Sequence, residues 1–134
     1  MKSIYILSIL LLSLFLISCV SLDKIRTENR TNLNRISLGM SKSEVLNIMG
    51  TETVRVFDSR KRINNPFRTE ILSEGDKKYE VVFYYTDKKR NVSSVTGSIT
   101  DDELTPIVFF NGKVEGYGWL YVKDNFKRYQ INMR

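Results

Sequence analysis

Histidine is absent from this 134-residue chain, and cysteine occurs once, at position 19. Without an imidazole there is no Ser-His or Cys-His dyad, no usual zinc ligand and no side chain that ordinarily titrates near neutrality. A hydrolase reading has little to stand on, and the chain is read as non-catalytic. The lone Cys19 excludes an intrachain disulfide, so a core must hold by packing alone. Charge of one sign is not concentrated either. The 21 Lys and Arg against 15 Asp and Glu leave a net charge of +6, too diffuse to argue for nucleic acid but enough to favour anionic surfaces such as phospholipid head groups. Carboxylates cluster at Asp101-Asp102-Glu103, yet consecutive side chains diverge, and calcium loops space their ligands at alternate positions around a Gly. The triplet reads as a solvated acidic loop before Pro106, and no metal site is expected.

What the chain does have is an apolar run, from Ile4 to Ile17, after a short positive start at Met1-Lys2. That is signal-peptide length. The run closes on Leu16-Ile17-Ser18-Cys19, which resembles a bacterial lipobox: an aliphatic residue three before the Cys and a small one directly before it. The resemblance implies a diacylglycerylated Cys19, removal of residues 1–18 and acylation of the new amine, with this covalent lipid in place of any cofactor. Two or three acyl chains are what stable anchoring needs, since one holds only reversibly. The competing reading is an uncleaved span, because Ile4 to Val20 just reaches the lower limit of about 17 residues. Val20 stands where an Asp would mark retention at the inner membrane, so the address implied is the periplasmic face of the outer membrane in a diderm host, or otherwise the cell membrane. Cleavage takes away only Lys2 from the charges and leaves 116 residues with a net charge of +5, enough for one domain.

Residues 19–31 are polar and charged, with Leu22 and Ile25 the large apolar residues beyond Val20, and they read as a lipidated tether. Order is expected from residue 32, giving a domain over 32–134. After a helical turn through Leu33 and Ile36, Ser41 is a strong N-cap and Glu44 completes a capping box, with Met40 set to staple onto Val45. Val45, Ile48 and Met49 recur at helical spacing, and Gly50 supplies the C-cap.

Gly39-Met40-Ser41, Val45, Met49 and Gly50-Thr51 resemble the signature of the SmpA/OmlA/BamE-like outer-membrane lipoproteins. The likeness extends from Asn32 to Asn125: Asn65-Pro66-Phe67 is similar to the family's Asp-Pro-Phe loop, Tyr79 to Tyr85 to its central aromatic strand, and Phe109 to Val114 to its last hairpin. Glu52 replaces the family's Pro, and the tail from Tyr117 is this chain's own. The resemblance implies an α+β fold, two short N-terminal helices packed on a three- to four-stranded antiparallel sheet.

The residues themselves predict strands. Val54 to Phe57 is a short one, and Lys78 to Thr86 the clearest, alternating Tyr79, Val81, Phe83 and Tyr85 against the other face. Asn111-Gly112, suited to a type I′ turn, joins Pro106–Phe110 to Lys113–Val122. That turn sets Phe109 opposite Val114, Ile107 opposite Gly116, Val108 opposite Glu115 and Pro106 opposite Tyr117. One face then carries Ile107, Phe109, Val114, Leu120 and Val122 as core, with Gly116 and Gly118 leaving room for helix backbone. The other presents Tyr117, Trp119 and Tyr121 in a row, either a protein interface or a surface packed under the N-terminal segment or the tail.

Two functions are compatible with these features. The resemblance implies an accessory lipoprotein of outer-membrane protein assembly or envelope integrity, held by its lipid and acting through protein contacts. Arg60, Lys61, Arg62, Lys88, Lys89 and Arg90 are then candidate contacts to partners or anionic phospholipid, or else a solvated rim. The alternative is a binding or inhibitory module for another envelope protein, since fold does not fix function.

Overall fold

A strand of nine residues, Lys77–Tyr85, carries the fold. In the computed structural model, which describes residues 21–55, 62–88 and 99–127, Val81, Val82, Phe83, Tyr84 and Tyr85 are all buried. A strand buried on both faces needs cover on both, and three helices supply it.

In chain order the elements are helix α1 (Leu22–Leu33), helix α2 (Lys42–Met49), β1 (Thr53–Arg55), β2 (Arg62–Asn64), β3 (Arg68–Glu74), β4 (Lys77–Tyr85), a 3-10 turn (Asp101–Glu103), β5 (Leu104–Phe110), β6 (Lys113–Tyr117) and helix α3 (Gly118–Asn125). β1 and β2 form a small antiparallel ribbon. The main sheet has four antiparallel strands in the order β3-β4-β5-β6. The fold is α+β, with three helices among the described residues.

Alternation along β4 divides the core. Val82 and Tyr84 face α2, packing with Ile36, Val45, Met49, Ile107, Phe109 and Val114. Val81, Phe83 and Tyr85 face the other way, toward Ile25 of α1 and Val122 and Phe126 at α3. Each fully buried large apolar side chain contributes roughly 1.5–3 kcal/mol, so both layers are needed to hold a domain without a cross-link.

The capping box forms as expected: Ser41 Oγ accepts from the Glu44 N–H, and Glu44 Oε2 accepts from the Ser41 N–H at 2.8 Å. Met40 packs against the Val45 layer. Gly50 caps α2 with φ +85° and ψ 159°, a positive φ but an extended ψ rather than the left-handed helical one. The segment before α2 also closes the outer edge of β6, through Gly39 N–H to Val114 O, Val114 N–H to Met40 O and Lys42 N–H to Gly112 O, each at 2.8 Å.

The structure corrects several expectations and adds a strand. The stretch taken as tether is helical from Leu22, capped by Ser21, because Ile25, Arg26 and Asn29 turn one face into the domain. β3 was not foreseen at all; it pairs along its whole length with β4.

The predicted register holds at Phe109–Val114 and then slips. A bulge sets Val108 opposite Gly116 and Ile107 opposite Tyr117, leaving Glu115 as the extra residue.

The last strand ends at Tyr117 instead of running to Val122. Gly118 at φ +84° turns the chain, and 118–125 coil into α3. Leu120, expected in the core, is 76% exposed, while Val122 is buried against Phe83 and Ile25 in the opposite layer. Gly116 makes room for a ring rather than for helix backbone: a Cβ there would overlap Tyr121.

The strand expected at Val54–Phe57 is present as β1 over Thr53–Arg55, and Val56 and Phe57 lie outside the described residues. Cys19, Arg60, Lys61, Lys89 and Arg90 also lie outside them.

Candidate functional site

Replacing strand by helix after Tyr117 dissolves the predicted aromatic face. On a strand, Tyr117, Trp119 and Tyr121 would project together; on α3 they turn by about 100° per residue and part company. Tyr117 is half exposed at the end of β6. Trp119 stacks at 5.8 Å from Phe83, and its indole N–H donates to Leu104 O at 2.6 Å. Tyr121 lies over Gly116 and beside Phe126, and burial raises its phenol pKa. Two of the three are therefore structural.

Of the basic candidates, Arg62 and Lys88 lie among the described residues. Arg62 is exposed on β2, and Lys88 is held at 2.5 Å by Asp23 in the first turn of α1. The motif residues Gly39, Met40, Ser41, Glu44, Val45 and Gly50 build α2 and its junction with β6.

Nor is the acidic triplet one site. Asp101 pairs with Arg68 at 2.8 Å, Asp102 accepts from Thr100, and Glu103 turns inward to Arg26. Among the described residues no group of three metal-ligating side chains comes together, and no helix is long and apolar enough to cross a membrane.

The structure brings together instead a cleft between α1 and α2. Its frame is an amide knot. Asn29, 1% exposed on the inner face of α1, donates to Tyr85 O and to Asn65 Oδ1, both at 2.9 Å; Asn65 donates back to Asn29 Oδ1 and to Met49 O, both at 3.2 Å. Tyr84 adds a hydrogen bond to Gly50 O at 3.1 Å. The Asn65–Pro66 peptide is cis. These bonds tie α1, the end of α2, the β2–β3 link and the end of β4 together, satisfying carbonyls that burial would otherwise leave unpaired.

Beside the knot is a cleft of about 240 Å³ with Ile25, Ile48 and Met49 as its apolar floor. Among the described residues Glu28 and Glu52 are its charged lining groups, and Asn32, Asn47 and Asn65 supply amides. Glu28 also meets Lys24 at 3.7 Å along the helix. Such a lining accepts hydrogen bonds and positive charge, and a cleft of this volume takes one long side chain or a small organic group. No sequence signal marked it: Glu28 lies in the stretch read as tether, and the bonds between Asn29 and Asn65 join positions 36 apart in the chain.

The class that the structure defines is a two-layered α+β domain with a polar cleft between α1 and α2. Over residues 19–124 the chain matches a family model described as "Protein of unknown function (DUF3192)", and it belongs to that family. No curated protein and no solved structure matches it.

Proposed function

We propose that this chain is a non-catalytic, lipid-anchored protein of the bacterial envelope that acts by holding partner proteins. The observation that carries the reading is Cys19 at the end of an apolar leader. Two further facts support it. The family match opens at residue 19, the residue that would become the new N-terminus, and the first described helix is capped by Ser21, two positions later. The domain would then sit directly on its anchor instead of at the end of a long tether.

The resemblance to the SmpA/OmlA/BamE-like lipoproteins favours a role as an accessory in outer-membrane protein assembly or envelope integrity, at the periplasmic face of the outer membrane. The α1–α2 cleft is the surface we assign to a partner's basic side chain, because both of its charged groups are carboxylates.

Mass spectrometry of the mature N-terminus tests the anchor. Loss of residues 1–18 with a diacylglyceryl thioether on Cys19 is expected; a retained Met1 with a free thiol rejects the reading. Pull-down from detergent-solubilised membranes tests the role. Outer-membrane assembly components are expected, their recovery reduced by Glu28→Gln with Glu52→Gln, whereas recovery of a single soluble hydrolase favours the inhibitory alternative.

A further inference from the structure

The two edges of the main sheet are treated differently. The outer edge of β6 is closed by three backbone hydrogen bonds from Gly39–Lys42. β3, at the other end of the order β3-β4-β5-β6, pairs among the described residues only with β4. It is seven residues long, Arg68-Thr-Glu-Ile-Leu-Ser-Glu74. A strand edge of this length is a template for another strand, and proteins that avoid pairing place a bulge, a Pro or charged side chains, above all Lys, there. β3 has no Pro, and its pairing with β4 runs without a register break.

Its centre is Ile71, 60% exposed on the α2 side of the sheet and flanked there by the exposed Thr69 and Ser73. An antiparallel pair of two β3 strands with its two-fold axis at Ile71 sets Ile71 against Ile71, Thr69 against Ser73, Glu70 against Leu72 and Arg68 against Glu74. Ile71 meets Ile71, hydroxyl meets hydroxyl and Arg68 faces Glu74, favourable cross-strand pairs; Glu70 and Leu72 face each other without gain, and no like charges meet. Arg68 also bonds Glu70 and Asp101 of its own chain at 2.7 and 2.8 Å and lies over the Phe83 ring of β4.

The neighbouring symmetric registers are worse. Sliding by one pleat in one direction sets Glu70 against Glu70. In the other direction it sets Glu70 against Glu74, twice. A slip of a single position turns every side chain to the wrong face. The sequence of β3 therefore selects one register for pairing with itself, and that register continues both faces of the sheet across the axis.

We propose that β3 is a homodimerisation edge, its occupant the β3 strand of a second copy of this chain, joined about Ile71 into one eight-stranded sheet. The inference rests on the sheet alone and stands or falls independently of the lipid anchor and the cleft.

The test is sedimentation of the full chain in detergent, beside Ile71→Lys. The parent should dimerise, and the variant should bind itself at least about tenfold more weakly, a change of about 1.4 kcal/mol, with an unchanged melting temperature because the side chain is largely in solvent. Oxidative cross-linking gives the register: Ile71→Cys should form a covalent dimer above the background that the parent's Cys19 sets. Ser73→Cys, whose counterpart across the axis is Thr69, should not. A parent that stays monomeric, an Ile71→Lys chain that dimerises as tightly as the parent, or equal cross-linking at 71 and 73 overturns the proposal. Dimerisation abolished only by changes at the cleft also overturns it.

Discussion

Arg26 and Glu103, 77 positions apart in the chain, pair through guanidinium and carboxylate with side chains only 9% and 7% exposed. The pair fastens α1 to the turn that launches β5. Glu103 Oε2 also accepts from the Thr100 N–H at 3.1 Å, and Arg26 reaches Asp23 at 3.2 Å. Among the described residues the Arg26 Nε is buried without a hydrogen-bond partner, so the guanidinium depends on its terminal nitrogens.

Breaking one side of such a pair leaves a buried charge uncompensated, which costs about 3–5 kcal/mol, whereas replacing both sides by apolar groups is often nearly neutral. Arg26→Met and Glu103→Leu should each destabilise the domain by about 3 kcal/mol, and the two together should recover most of that loss. Urea denaturation of the two single variants and the double variant closes the cycle. Additive losses would mean the two residues act separately.

Trp119→Ala should lower stability by about 3 kcal/mol, because it empties the contact with Phe83 and removes the bond to Leu104 O. Trp119→Phe keeps most of the packing and should lose only about 1 kcal/mol. Thermal denaturation separates this from a role in partner contact, for which Trp119→Ala would leave the melting temperature unchanged.

Gly116→Ala should cost about 1–3 kcal/mol, since the new methyl group meets the Tyr121 ring and α3 must shift to admit it. With Tyr121→Leu in the background the same substitution should cost distinctly less. An undiminished loss there would place the strain in the β6 bulge itself rather than in the ring above it.

Two groups among the described residues make acid stability pH-dependent. Bonds from the Ser41 hydroxyl and backbone N–H hold Glu44 below its ordinary pKa of 4.5, and bonds from Lys88 and then Arg26 hold Asp23 below 3.8. For carboxylates with depressed folded pKa values the contribution is fully present above those ordinary values and is lost as pH falls through the folded ones. Glu44→Gln should flatten the fall in melting temperature below pH 4.5. Ser41→Ala should lower stability near neutrality by about 1 kcal/mol through the lost cap.

At the alkaline end, burial raises the phenol of Tyr84 strongly and pushes that of Tyr85 up to about 12. A raised folded pKa means stability is intact below the ordinary value of 10 and declines as pH climbs through the folded one. Phenolate absorbance should show these two tyrosines ionising only with unfolding, so Tyr85→Phe should make the alkaline fall in stability shallower.

Local chemistry was legible wherever it was sufficient by itself. Ser41 and Glu44 are three residues apart and satisfy each other's backbone, so α2 could be read without knowing what lies beneath it. The alternation of Tyr79 to Tyr85 and the positive φ values at Asn111 and Gly112 likewise need only their neighbours.

Helix α1 was opaque because its inward face is Ile25, Arg26 and Asn29, two of them polar, with partners at Glu103, Tyr85 and Asn65 that no window along the chain contains. Composition read that stretch as a tether; tertiary pairing makes it a wall of the core. The aromatic row failed for a related reason. Period-two spacing at Tyr117, Trp119 and Tyr121 fits a strand, but Gly118 can take φ +84°, and packing of Val122 on Phe83 and Ile25 outweighs the local preference.

The chain by itself determined the Cys19 motif, the capped helix, the central strand and the hairpin turn, each set by contacts among a few consecutive residues. Only the tertiary structure decided where the last strand stops, which polar groups are buried, and which sheet edge has no further strand among the described residues. Those outcomes depend on what a side chain meets across the sheet, and distance along the chain does not encode that.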